Sequence, residues 1–297
     1  MLQQRWTTAF ALCRSVLLPL LVAGLAACSA RRTTSTVHDQ PLTSHVAAGL
    51  HSFNVEYDPG DEWNAARVLQ ALDRAGERVT RWGDLKSSVV VRVHPTHDAL
   101  ERSLGLRGYP WLRAWARSDQ IALQSPGSWA PDRIVPESDL EELLTHELTH
   151  VLMYQLIEVN DAHDLEPRPE PPLWFREGMA SVTAGQGHRR WGPEELAAWT
   201  KEHPGVDLLR PEPETYRTEK EAVYGAAHRA FELLLRATGE RGVRDILRHH
   251  GEGHTFEDAF ALATGKTIAA FEAESVRLGF DAKVAGQATA AVGAGGP

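Results

Sequence analysis

Glu141-Glu142-Leu143-Leu144-Thr145-His146-Glu147-Leu148-Thr149-His150-Val151-Leu152-Met153 is the stretch from which the rest of the chain is best read. Its apolar residues Leu143, Leu144, Leu148, Val151 and Leu152, with Leu140 just upstream, recur at helical spacing and give one broad buried face. Ser138, three residues before Glu141, makes an S-x-x-E capping box, so the helix is expected to run from 138 to about 158. His146 and His150 stand four apart, about 40° around a helix, so both imidazoles project from one face and can share one metal ion. Glu147 lies about 100° from His146 and about 60° from His150, close enough to reach a metal-bound water without being a ligand. Zinc suits two neutral imidazoles and a carboxylate and leaves a fourth position for water. Water bound there has its pKa lowered toward about 7, and Glu147 can take its proton as it attacks a carbonyl.

Upstream of this helix the patterning is mixed. His51–Tyr57, Ser88–His94 and Gln120–Gln124 read as strands, each ended by Pro or Gly. Asp61–Thr80 carries Trp63, Ala66, Leu69, Leu72 and Val79 at helical spacing, and Asp98–Leu104 reads as a short helix. Downstream, helices are expected from Leu173 to about Gly185 and over 193–202, 219–237, 240–250, 256–263 and 267–278. The fold class is therefore α+β, a small mixed sheet with helix in the N-terminal part and a mostly helical remainder. The loop 161–172, DAHDLEPRPEPP, is a spacer or a gate, and the Ala/Gly-rich tail 281–297 is expected to be disordered.

The composition narrows the classes of partner. Hydrophobic residues make up 42% of the 297 and charged residues 24%, enough apolar content for a real core and too much for general disorder. Forty acidic residues against 31 basic ones argue against nucleic acid as a partner. The two cysteines, Cys13 and Cys28, both fall in the first tenth of the chain, so the body holds no disulfide and no thiolate metal site.

Arg5 and Arg14 precede an apolar run from Val16 to Ala27, too short to span a bilayer and ordered like an export signal. Its end, Leu25-Ala26-Ala27-Cys28, resembles the lipobox of bacterial lipoproteins. The resemblance implies a signal peptide over 1–27, acylation of Cys28 and a membrane anchor; each buried methylene is worth roughly 0.8 kcal/mol. Ser29 after the cysteine implies the outer membrane, facing the periplasm or the surface. Residues 28–49, Ser/Thr-rich, read as a flexible tether, which leaves 50–280 as the catalytic domain.

ELLTHELTHVLMYQL followed by PLWFREGMASV resembles the gluzincin metallopeptidases, most closely the small peptidase-MA-like domains of exported bacterial proteins. That resemblance implies a zincin-like fold, one Zn2+ ion and a peptide or protein substrate. Members pair H-E-x-x-H with a later W-x-x-E-G-x-A, whose Glu is the third zinc ligand; here it is Glu177. Glu158, Asp161, His163, Asp164, Glu166 and Glu170 are closer in sequence and stay open as alternatives. In some gluzincins an Asp four residues after the ligand orients a zinc-bound His, and here that position is Ser181. Related domains carry an oxyanion-stabilising Tyr at the start of a following helix, which matches Tyr224, with His228 as the runner-up on the same face. The strand Gln120–Gln124 is expected to be the sheet edge to which an extended peptide adds. Metzincins are excluded, because Met153 and Leu156 stand where their pattern needs Gly and His. The G-x-M-E-N exopeptidase motif is absent, which favours an endopeptidase. Two other readings are a zinc-binding envelope assembly or binding protein with vestigial activity, and a hydrolase of non-peptide amides.

Overall fold

The computed structural model describes residues 43–48, 52–130, 132, 134–157 and 170–280; Cys28, the signal segment, most of loop 161–172 and the tail 281–297 lie outside them. Among the described residues five strands form one sheet, β1 (Thr43–Ala48), β2 (Ser52–Tyr57), β3 (Val89–His94), β4 (Ala114–Ala116) and β5 (Gln120–Gln124), in the order β1-β2-β3-β5-β4. β2, β3 and β5 are parallel, and an antiparallel strand closes each edge, so the sheet is mixed. Alternation buries Phe53, Val55 and Tyr57, then Val89, Val91 and Val93, then Ile121 and Leu123 on the face toward the core. Glu56 and Arg92 take the other face and pair at 2.6 Å.

The sheet corrects two expectations. Thr43–Ala48, assigned above to the tether, is strand β1, paired from Thr43↔Tyr57 to Ala48↔Ser52. The six residues TSHVAA read as a continuation of the Ser/Thr-rich segment before them, because an edge strand whose partner supplies the ladder needs no clear alternation of its own. Gln120–Gln124 is interior rather than edge, because the three-residue strand β4 lies outside it, with Trp115 opposite Ala122.

Two helices lie in the N-terminal part, α1 (Glu62–Val79) and α2 (His97–Leu104). The rest is helical: α3 (Glu137–Ile157), α4 (Leu173–Thr183), α5 (Pro193–Glu202), α6 (Pro213–Thr218), α7 (Lys220–Gly251), α8 (Phe256–Thr264) and α9 (Ile268–Gly279). α7 is two helices joined at Gly239, whose φ of 65° only glycine takes without strain, and this break is where 219–237 was expected to give way to 240–250. None of these helices is long and apolar enough to cross a membrane.

α3 is buried without interruption from Leu144 to Met153, as a helix does when it is apolar or engaged on every side. It packs on α1, and ion pairs fasten the two: Arg74 to Glu141 at 2.6 Å and Arg78 to Glu141 at 2.5 Å. These pairs displace the expected capping box. The Pro136 carbonyl accepts the first helical bonds, from Asp139 at 3.1 Å and Leu140 at 3.2 Å, so Ser138 lies inside the first turn and Glu141 faces α1. On its other side α3 meets α4, which is clamped to α7 through Gly178.

Candidate metal centre

His146 and His150 sit on consecutive turns of α3, and Glu177 sits on α4 directly opposite. His146 Nε2 is 3.2 Å from His150 Nε2 and 3.3 Å from Glu177 Oε2, and His150 Nε2 is 3.7 Å from the same oxygen. All three side chains are buried. The ligand atoms of a tetrahedral zinc with bonds of about 2.05 Å stand about 3.3 Å apart, so this triangle has the size that one ion requires. The hydrogen-bonding around it points the same way. Gln186, in the short 3-10 turn Gln186–Arg189 after α4, accepts from His146 Nδ1 at 3.1 Å. Nδ1 therefore carries the proton, and the Nε2 lone pair faces the carboxylate oxygen and the second imidazole. Three donor atoms so placed can share one cation, and the residues fit one zinc ion.

The electrostatics follow from burial and from this crowding. Burial alone would raise the Glu177 carboxyl, but chiefly the positive charge of His150 beside it carries it well below its ordinary range. Glu147 is pushed the other way, chiefly by burial; the two imidazoles partly oppose the shift and Glu177 adds to it. A carboxylate with raised proton affinity, buried beside a metal triad, is placed to accept a proton and give it back.

Two cavities flank the triad, of about 400 Å³ on the His146 side and about 240 Å³ on the His150 side. Glu147, Tyr224, Trp111 and Ala114 line both, so they form one cleft passing over the metal position. β4 forms its rim. Gln124 N–H donates to the Arg113 carbonyl and Arg117 N–H to the Gln120 carbonyl, each at 2.8 Å. The two-residue alternation of an antiparallel pair then turns the backbone groups of Ala114 and Ala116 away from β5, toward the open edge.

Tyr224 has its hydroxyl 3.0 Å from that of Tyr216 on α6. Burial, then the charge of Glu177, raises both phenols, Tyr216 to about 12 and Tyr224 well above its usual value, so each is a neutral hydrogen-bond donor. His228 lines neither cavity; its Nδ1 meets Ser181 Oγ at 2.8 Å and its Nε2 lies 3.6 Å from Glu232. Ser181 is thereby corrected as well. It serves His228 and accepts from Arg190 Nε at 3.1 Å, while Gln186 supports the metal-facing His146. Of the alternative third ligands, Glu170 is spent on Arg176 at 2.8 Å, and Glu158, Asp161, His163, Asp164 and Glu166 lie outside the described residues.

The residues that support the centre escaped the sequence reading. Gln186 is 40 positions from His146, with no periodic relation to it. Arg190 donates to Gln186 Oε1 and Ser181 Oγ and places its guanidinium carbon 4.9 Å from the Tyr224 ring centre, joining the support of His146 to the tyrosine. A second His/Glu group, His249, Glu252 and His254, lies at the end of α7, where Arg248 already donates to Glu252 at 2.9 and 3.1 Å.

Among solved structures the chain is similar to M1 zinc metallopeptidases. That of Deinococcus radiodurans shares 15% identity at a TM-score of 0.43, over 80% of this chain and 51% of the other. An aminopeptidase N family protein from Idiomarina loihiensis shares 12% at 0.36, over 80% and 41%. The chain thus spans about half the length, or less, of these proteins. No protein-family model and no curated protein sequence matches it.

Proposed function

We propose that this chain is a zinc-dependent peptidase, an endopeptidase of the bacterial cell envelope tethered through lipid on Cys28. The observation that carries the reading is the buried triangle of His146, His150 and Glu177 with Glu147 beside it, facing an open cleft. The three residues would hold one zinc ion, which when bound supplies a Lewis acid for a water molecule and for the substrate carbonyl. The remaining work falls to the chain. Ala114 and Ala116 offer backbone groups to an extended peptide, so pairing fixes its position without reading most side chains. Glu147 accepts the proton of the attacking water and returns it to the departing amine. Tyr224 donates a hydrogen bond to the carbonyl oxygen as negative charge develops there. Arg190 and Gln186 hold the tyrosine ring and the His146 imidazole in place.

Glu147 favours an enzyme over a purely structural zinc protein, because a structural site has no use for a buried, unligated carboxylate beside the ion. Zinc content and cleavage of a random peptide library, compared between wild type and Glu147→Gln, test the reading. The variant should keep its zinc and lose cleavage, and undiminished cleavage would remove Glu147 as the base. For the anchor, the mass of the mature N-terminus from a bacterial host should include diacylglycerol on Cys28; an unmodified cysteine would refute it.

A further inference from the structure

The larger cavity, on the His146 side, is lined by four cations, and two of them have carboxylate partners. Arg189 binds Asp139 at 2.9 Å and Glu142 at 3.1 Å, and Lys220 lies 3.2 Å from Glu221. The other two, Arg113 and Arg190, have no carboxylate partner among the described residues. Arg113 spends Nη1 on the carbonyls of Pro110 at 2.9 Å and Leu112 at 3.2 Å. Its Nε and Nη2, the side of the fork that grips a carboxylate with two parallel bonds, bond no group among the described residues. Arg190 spends Nε and Nη2 on the neutral oxygens of Ser181 and Gln186 and leaves Nη1. The difference is visible in proton affinity. Burial lowers Arg113 and Arg190, whereas Arg210, Arg217 and Arg248 are raised by their carboxylates. Glu177, Glu221 and Glu142 act on Arg190 only from beyond ion-pair distance and do not offset its burial, and none acts on Arg113. Two half-buried guanidinium groups with free N–H donors and no direct carboxylate partner among the described residues, lining one cavity, make a site that a ligand anion fits.

The rim strand gives the site a direction. β4 begins next to Arg113, with Ala114 lining both cavities, and ends at Ala116, which lines only the His150 side. A peptide added antiparallel to β4, the more stable pairing, has its C-terminal part in the cavity of Arg113 and Arg190.

We propose that Arg113 and Arg190 bind a carboxylate of the substrate on the C-terminal side of the scissile bond. The inference rests on the peptidase reading above and adds to it a substrate class, anionic downstream of the cut. The carboxylate is either the free C-terminus of a peptide or an Asp or Glu side chain.

Binding without turnover separates this from the peptidase reading. Zinc-loaded Glu147→Gln is titrated by tryptophan fluorescence with four N-acetylated alanine pentapeptides. They are a neutral amide, a free C-terminus, an amide with Glu at the last position, and an amide with Glu at the first. The free acid or the last-position Glu should bind about tenfold or more tighter than the neutral amide, as expected for one charge-assisted bidentate contact. Whichever of the two does so identifies the source of the carboxylate. Adding Arg113→Gln should reduce that preference to within about twofold, and Arg113→Lys should restore part of it, since an ammonium makes only a point contact. Equal affinity for all four peptides, a preference for first-position Glu, or a preference that survives Arg113→Gln overturns the proposal. Wild type that binds with the expected preference yet cleaves none of these peptides and nothing in a peptide library would leave the carboxylate site standing and refute the peptidase. Cleavage without that preference would do the reverse.

Discussion

Replacing Gly178 by alanine asks whether the packing of α4 on α7 is what brings the third ligand to the metal. A Cβ on residue 178 would lie 2.4 Å from the Ala227 carbonyl oxygen and 2.6 Å from Phe231 Cβ, distances that real Cβ atoms essentially never show. The first neighbour is helix backbone, which cannot swing aside as a side-chain tip can. The two helices must part by about 0.6 Å to bring the closer contact to 3.0 Å, an overpacking strain of typically 1–3 kcal/mol. In a domain of this size each kcal/mol is worth about 2–4 °C, so the melting temperature should fall by roughly 2–12 °C. It is measured on the metal-free chain by circular dichroism, because bound zinc would itself add stability. Glu177 is the adjacent residue and rides on the displaced helix, so zinc affinity, measured by competition with a chromophoric chelator, should fall about tenfold. Gly205→Ala is the control. Its φ of 89° strains alanine, but no atom lies within 4 Å of the new Cβ, so it should cost about 1 kcal/mol and leave zinc affinity unchanged. Gly178→Ala with wild-type melting temperature and wild-type zinc affinity would refute the packing argument.

Three further outcomes are expected. Gln186→Leu removes the acceptor for His146 Nδ1–H and should weaken zinc binding about 10- to 100-fold with little change in circular dichroism; equal affinity would mean that the tautomer needs no such support. Tyr224→Phe should lower kcat about 100-fold and leave KM and zinc content near wild type, and an unchanged kcat would take the oxyanion role from this residue. Glu232 is pushed up by burial but held below the ordinary carboxylate range by His228 and then Arg229, so its contribution is present above that range and lost as pH falls through the depressed value. Wild type should therefore exceed Glu232→Gln by about 0.5–1 kcal/mol near neutrality, since the side chain is about a third exposed, and urea melts should converge in acid.

The parts of the molecule legible in the sequence are those set by local periodicity. The α3 pattern and the i, i+4 histidines predict one helix with both imidazoles on one face, and the triangle at 3.2 and 3.3 Å follows once a carboxylate is brought opposite. The α7 break was legible as the gap between the helices expected over 219–237 and 240–250, in which Gly239 stands. β1 and β4 were not, since Thr43–Ala48 shows no polar/apolar alternation and Ala114–Ala116 is three residues long; each exists because a neighbouring strand offers a free edge. That missing β4 is what put Gln120–Gln124 at the rim. Gln186, Arg190 and Arg113 reach the cleft from a turn and a strand end, where no spacing rule ties them to His146. The Gly after Glu177 was read only as part of a family pattern, and its physical reason, the Ala227 carbonyl against it, belongs to tertiary structure.

The most direct test of the central claim is the zinc content of Glu177→Ala beside wild type, by elemental analysis after dialysis against a weak chelator. The account predicts about one ion per chain in wild type and almost none in the variant, with unchanged circular dichroism. Full occupancy in Glu177→Ala would contradict it.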